Sequence, residues 1–186
     1  MHRINYKEVK RLMVKIKVGI EGIAPLLMNK FSEAKPSESK RGKKVYDDKE
    51  EAEKKTYRTQ EGELYLPSTH FKASMVKSAT DFKMSGKKSY KDYIKSGVFI
   101  QEQEIILDQQ EYEIFACPVV IQRARVMSWR PMFKEWSCSF TLEIADDMIN
   151  PTTLKEILEM AGKYKGVGDF RPEHGRFKVT KFEVQK

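Results

Sequence analysis

Residues 166 to 177 read Gly-Val-Gly-Asp-Phe-Arg-Pro-Glu-His-Gly-Arg-Phe, three glycines set among two arginines and a histidine. Glycine lets backbone approach a ligand closely, so the amides of Gly166 and Gly168, with the side chains of Arg171, His174 and Arg176, have the chemistry to hold a phosphate chain. The run is neither the dinucleotide fingerprint nor the P-loop, whose glycines follow a strand and open a helix. Here the glycines follow a helical pattern and lead into a strand.

A second stretch, Val119 to Trp136, carries Arg123, Arg125, Arg130 and Lys134, with no acid between Glu113 and Glu135. Trp129, Phe133 and Trp136 are interleaved with these charges. Aromatic faces stack on unpaired bases and arginines hold phosphates, the combination that binds single strands without sequence preference. Trp136 opens a strict alternation and is expected in the core. Trp129, beside Arg130-Pro131 in an expected turn, is a candidate stacking ring. Lys72 and Lys77 join the candidates, because they lie off the apolar stripe of a helix with no acid between Glu63 and Asp81.

Of the three histidines, His2 is terminal, His70 falls in a helix's first turn and His174 in the glycine run. Two histidines with Lys or Arg nearby can cleave RNA without metal by general acid–base chemistry. That makes an endoribonuclease the alternative to a binding protein, but spacing alone does not unite the pair, and no catalytic residue is assigned. Cys117 and Cys138 form neither a zinc set nor a disulfide framework and are expected as reduced core residues. Asp146-Asp147 reads as the acidic approach to a helix rather than a cation site. No metal or cofactor is expected.

The elements that must position these residues follow from periodicity. Val14, Ile16, Val18 and Ile20 alternate with Lys15, Lys17, Gly19 and Glu21, a strand with one buried face. Residues 31–60 crowd charge around Pro36 and Gly42; the first half reads as a mobile loop and Asp47 to Tyr57 as an exposed helix, together a flexible arm. Leu64 to Leu66 is a short strand. Pro67-Ser68-Thr69 opens a hydroxyl-capped helix with Phe71, Met75, Ala79 and Phe82 on its apolar side. A lysine-rich connection around Gly86 leads to strands over Val98 to Leu107 and Tyr112 to Val126, with a turn near Asp108-Gln109-Gln110 and Pro118 marking an edge or bulge. Trp136 to Ile144 alternates without a break. Asn150-Pro151 starts a helix whose face is Leu154, Ile157, Leu158 and Ala161. Arg176 to Val184 is the last strand, with a bulge expected near Thr180. The order is β-α-β-β-α-β, so the fold class expected is α+β: one ferredoxin-like or RRM-like domain over 1–186, with an extra β-hairpin and a charged insertion at about 31–60. One sheet face should be free of helices, open to a strand of nucleic acid.

The formal charge of +8 is concentrated in residues 1–46, the remainder being balanced. A basic surface attracts polyanions by counterion release. No apolar run approaches the roughly 20 residues of a membrane helix, and the charged start lacks a secretory signal's apolar centre. The expectation is a cytoplasmic protein without a membrane partner.

The glycine run, together with Leu64-Tyr-Leu-Pro-Ser-Thr-His-Phe-Lys-Ala-Ser-Met-Val-Lys-Ser-Ala79, resembles the RAMP superfamily of CRISPR proteins, especially the repeating backbone subunits that coat guide RNA. In that family a short strand ends in a Pro-Gly or Pro-Ser turn opening a helix that contains a Lys, and a glycine-rich loop precedes the last strand. Where many members carry Gly-x-Gly before that strand, this chain has His174-Gly175-Arg176. The chain also resembles small phage or prophage proteins with a Gly-[Ile/Val]-Gly-Asp-[Phe/Trp]-Arg-Pro stretch and a similar middle region, which implies a phage or prophage origin. The resemblance implies a non-catalytic protein that binds single-stranded DNA or RNA, with copies assembling along the strand. Its alternatives are a RAMP-like endoribonuclease and a phage protein-interaction factor that mimics or inhibits a CRISPR subunit.

Overall fold

The computed structural model describes residues 13–31, 47–86, 88–121 and 123–185. His2, the basic N-terminal segment and the first half of the charged insertion lie outside these residues.

Strand β1 (Val14–Gly22) sits at the centre of a four-stranded antiparallel sheet, flanked by β11 (Phe177–Gln185) and β10 (Ser137–Ile144), with β6 (Val98–Ile100) beyond β10. Helices α2 (Ser68–Ser78) and α4 (Pro151–Tyr164) connect these strands in the split β-α-β pattern, so the sheet order is that of a ferredoxin-like fold. This α+β class is the one the element order implied. The alternation in β1 and β10 places Ile16, Val18, Ile20, Phe140, Leu142 and Ile144 in one buried layer against Phe71, Met75, Leu154, Ile157 and Leu158 of the helices. The rings of Phe71 and Phe140 meet at 5.0 Å. In β11 the register slips between Gly19 and Ile20 of its partner, leaving Thr180 as the extra residue of the expected bulge.

Helix α4 begins as its sequence indicates: the Asn150 side-chain oxygen accepts the Thr152 N–H at 2.8 Å, with Pro151 in the first turn. Helix α2 does not have its expected hydroxyl cap. Pro67 is the N-cap, and the Ser68 N–H is satisfied by the Gln103 carbonyl at 2.9 Å.

Three further expectations are corrected. Val98 to Leu107 is two strands, β6 and β7 (Glu104–Ile106); β7 pairs with β3 (Tyr65–Pro67), because the polar Gln101-Glu102-Gln103 breaks the run and Glu102 turns back to accept the Thr141 N–H. The lysine-rich connection forms a small hairpin, β4 (Lys83–Ser85) with β5 (Lys88–Ser89), and helix α3 (Lys91–Gly97). The long hairpin reverses between Ile121 and Ala124, the facing ends of β8 (Glu113–Ile121) and β9 (Ala124–Phe133), so Trp129-Arg130-Pro131 is strand rather than turn. Arg123 itself takes the positive φ of 72° that closes the turn.

Strand β9 is central in a second sheet of order β2 (Leu26–Leu27), β9, β8, so Pro118 lies on an edge strand as expected. Helix α1 (Asp48–Glu53), N-capped by Asp47, is tied down rather than exposed throughout: Ala52 is buried, and the Tyr112 hydroxyl donates to Glu53.

Candidate nucleic-acid interface

The glycine run is a loop stitched to β2 and to Pro25 just before it. The N–H groups of Asp169 and Gly175 donate to Leu27 and Pro25 carbonyls at 2.9 and 2.8 Å, and the Val167 N–H donates to Gly175 at 2.9 Å. Gly166, Gly168 and Gly175 all have positive φ. Gly175 has no alternative, because a Cβ there would lie 1.7 Å from the Val167 oxygen.

The hairpin stands on this loop through Arg130. Its guanidinium donates to Asp169 Oδ2 at 2.7 Å and Cys117 Sγ at 2.9 Å, and lies 4.5 Å from the Phe170 ring centre. Arg130 is only 6% exposed. The expected phosphate contact is thus a buried strut, with its charge spent on Asp169. Cys117, expected in the core, lies half-buried beside it, whereas Cys138 is core and burial pushes its thiol well up. From the other side, Lys55 donates to Ser128 Oγ at 2.7 Å and to the Trp129 carbonyl at 2.9 Å. Burial, and next the Arg130 charge, lower the Lys55 ammonium below its ordinary range.

Beyond this base the hairpin's outer face carries Arg125, Met127 and Trp129 with cross-strand Ala116, Pro118 and Val120. Val120 is 69% and Met127 49% exposed, and Arg123 and Arg125 are exposed at the distal end. Trp129 is half-buried on the same face.

The other expected residues are distributed unevenly. Arg171 is exposed on the loop, and its charge, second to burial, holds the His70 imidazole below the usual histidine range. Arg176 is half-buried, and its carbonyl accepts the N–H groups of Ile23 and Ala24. His174 packs against Phe115 at 5.6 Å and Phe170 at 6.3 Å, whereas His70 packs edge-on against Tyr57 at 5.7 Å. The two histidines are therefore held by different rings. Lys72 lies apart: its ammonium donates to the carbonyls of Ile94 and Val98, closing the end of α3, and burial lowers its pKa. Lys77 is exposed two turns beyond His70 on α2.

Sequence reasoning does not single out Lys55, Asp169 or Phe170. An aromatic inside a glycine run is the signal that points to Phe170; nothing local marks Lys55 within its charged surroundings.

The sheet face without helices is a poor alternative surface. Its two central strands present Lys15, Lys17, Gly19, Glu21, Ser137, Ser139, Thr141 and Glu143 and carry no ring of their own; the register adds Phe99, on the edge strand β6 across from Glu143. Lys15 pairs with Glu143 at 3.3 Å and Lys178 with Glu21 at 3.0 Å. A groove of about 700 Å³ at one end is lined by Glu21, Asp108 and Glu135, which repel a polyanion.

No family model matches the sequence, and no curated protein is similar to it. Among solved structures, the fold is similar to a chain in the cryo-EM structure of the Type III-B Cmr-beta bound to cognate target RNA, with TM-score 0.58 and 10% identity over 97% of this chain. The two share an α+β, ferredoxin-like fold. The chain spans 64% of that chain's length, and the likeness is one of architecture. Among the described residues no helix is long and apolar enough to cross a membrane.

Proposed function

We propose that the chain is a non-catalytic protein that binds single-stranded nucleic acid along the hairpin and the glycine loop. The observation that carries this reading is the Arg130–Asp169 pair at 2.7 Å, which fixes an arginine-bearing hairpin against a loop of positive-φ glycines. Arg123 and Arg125 on the hairpin and Arg171 on the loop then supply exposed cations for phosphates, with Trp129 half-buried on the same hairpin face as Arg125. Lys72 is left out of this surface, since two of its three N–H donors are held by the carbonyls of Ile94 and Val98. The solved structure of similar fold is described as bound to target RNA, which favours nucleic acid over a purely protein partner.

The test is fluorescence anisotropy with labelled oligo-U and oligo-dT in low salt. Binding that weakens linearly in log–log form as salt rises is expected. Absence of binding to either oligomer at low salt sinks the reading.

A further inference from the structure

Phe170 is the aromatic residue of the glycine loop, and it stays in water. It is 41% exposed, and its backbone φ of +50° is one that L side chains rarely adopt. A glycine or asparagine would take that backbone with less strain, and burial of the ring is only partial. Neither packing nor the turn therefore accounts for phenylalanine. The ring is nonetheless held. Arg130, locked by Asp169 and Cys117, lies 4.5 Å from its centre, and His174, backed by Phe115, flanks it at 6.3 Å. The Phe170 carbonyl accepts the His174 N–H at 3.1 Å, which fixes the backbone below the ring. Arg171, the next residue, is an exposed cation.

We propose that the exposed face of Phe170 is a stacking site for one unpaired nucleobase, with Arg130 as the positioning residue that holds the ring from behind. The proposal rests on the single-strand reading above and names the part of the ligand this loop recognises. A fixed ring loses little freedom on binding, and each base presents a π-face to it, so the site is tolerant of sequence.

The experiment compares oligo-U with an abasic oligomer of the same length, which keeps the phosphates and removes the bases. Wild type, Phe170→Leu and Phe170→Trp are titrated by anisotropy, with thermal melts as the folding control. Wild type should bind oligo-U about tenfold or more tighter than the abasic strand. Phe170→Leu should lose most of that preference while its affinity for the abasic strand stays unchanged, and Phe170→Trp should retain the preference. Equal wild-type affinity for both strands overturns the proposal, as does a preference that survives in Phe170→Leu; both leave the binding reading intact. No binding of wild type to either strand removes that reading and the proposal with it.

Discussion

Replacing Arg130 by Met keeps the buried aliphatic stem and deletes the charge on which the hairpin stands. Taking away one partner of a fully buried ion pair costs about 3–5 kcal/mol, because the other charge is left uncompensated. The Arg130 side chain is 8% exposed but that of Asp169 is 28%, so the abandoned carboxylate recovers part of its hydration and the loss falls to about 2–3 kcal/mol. Removing the cation from the Phe170 ring adds about 0.5–1 kcal/mol. For a chain of this size roughly 3 kcal/mol lowers the melting temperature by about 6–12 °C. The assay is thermal or urea unfolding of Arg130→Met, Asp169→Asn and the double variant. The pair is coupled, so the double variant should cost less than the two single losses combined, by at least about 1 kcal/mol. Strict additivity, or a loss below about 1 kcal/mol for Arg130→Met, would refute the strut.

Gly175→Ala places a Cβ 1.7 Å from the Val167 oxygen at φ +72° and should cost more than about 3 kcal/mol, whereas Gly62→Ala, with φ +90° and nothing within 4 Å, should cost only about 1–2 kcal/mol in the same melts. The double variant Arg123→Ala, Arg125→Ala should leave the melting temperature unchanged, weaken oligo-U binding and reduce the salt slope by about one for each phosphate that is no longer neutralised. Native His70 is held below the usual histidine range by burial and by Arg171, while the unfolded chain takes up a proton near pH 6.5. Stability should therefore fall as pH drops below that value, until native His70 is protonated too. His70→Gln should show a smaller drop in melting temperature between about pH 7.5 and 5.5.

The core of the fold is legible wherever one face of an element is buried. Val14 to Ile20 and Trp136 to Ile144 each alternate because their even positions meet α2 and α4, and Asn150-Pro151 marks its helix through groups that cap it locally. The turn of the long hairpin is not legible, because the sequence between Ile121 and Ala124 has no glycine, proline or asparagine, while Pro131 imitates a turn signal. Pro131 is tolerated in β9 because its carbonyl faces Met28 just past the end of the short β2, where its absent N–H interrupts no ladder. Lys72 lies off the apolar stripe of α2, as an exposed residue would, but the end of α3 and the start of β6 bring the Ile94 and Val98 carbonyls to it. Arg130 and Asp169 are separated by 39 residues, and their pairing depends on the loop docking against β2. A long-range pairing of that kind leaves no local pattern, which is why the most buried candidate cation reads as a surface one in the sequence.

The central claim concerns which surface the nucleic acid touches, and ultraviolet cross-linking of the full chain to 4-thiouridine-substituted oligo-U, read by mass spectrometry, addresses it directly. Cross-links should map to β8, β9 and the 166–176 loop. Cross-links concentrated on the helix-free face, at Lys17, Ser139 and Thr141, with the hairpin and loop unmarked, would contradict it.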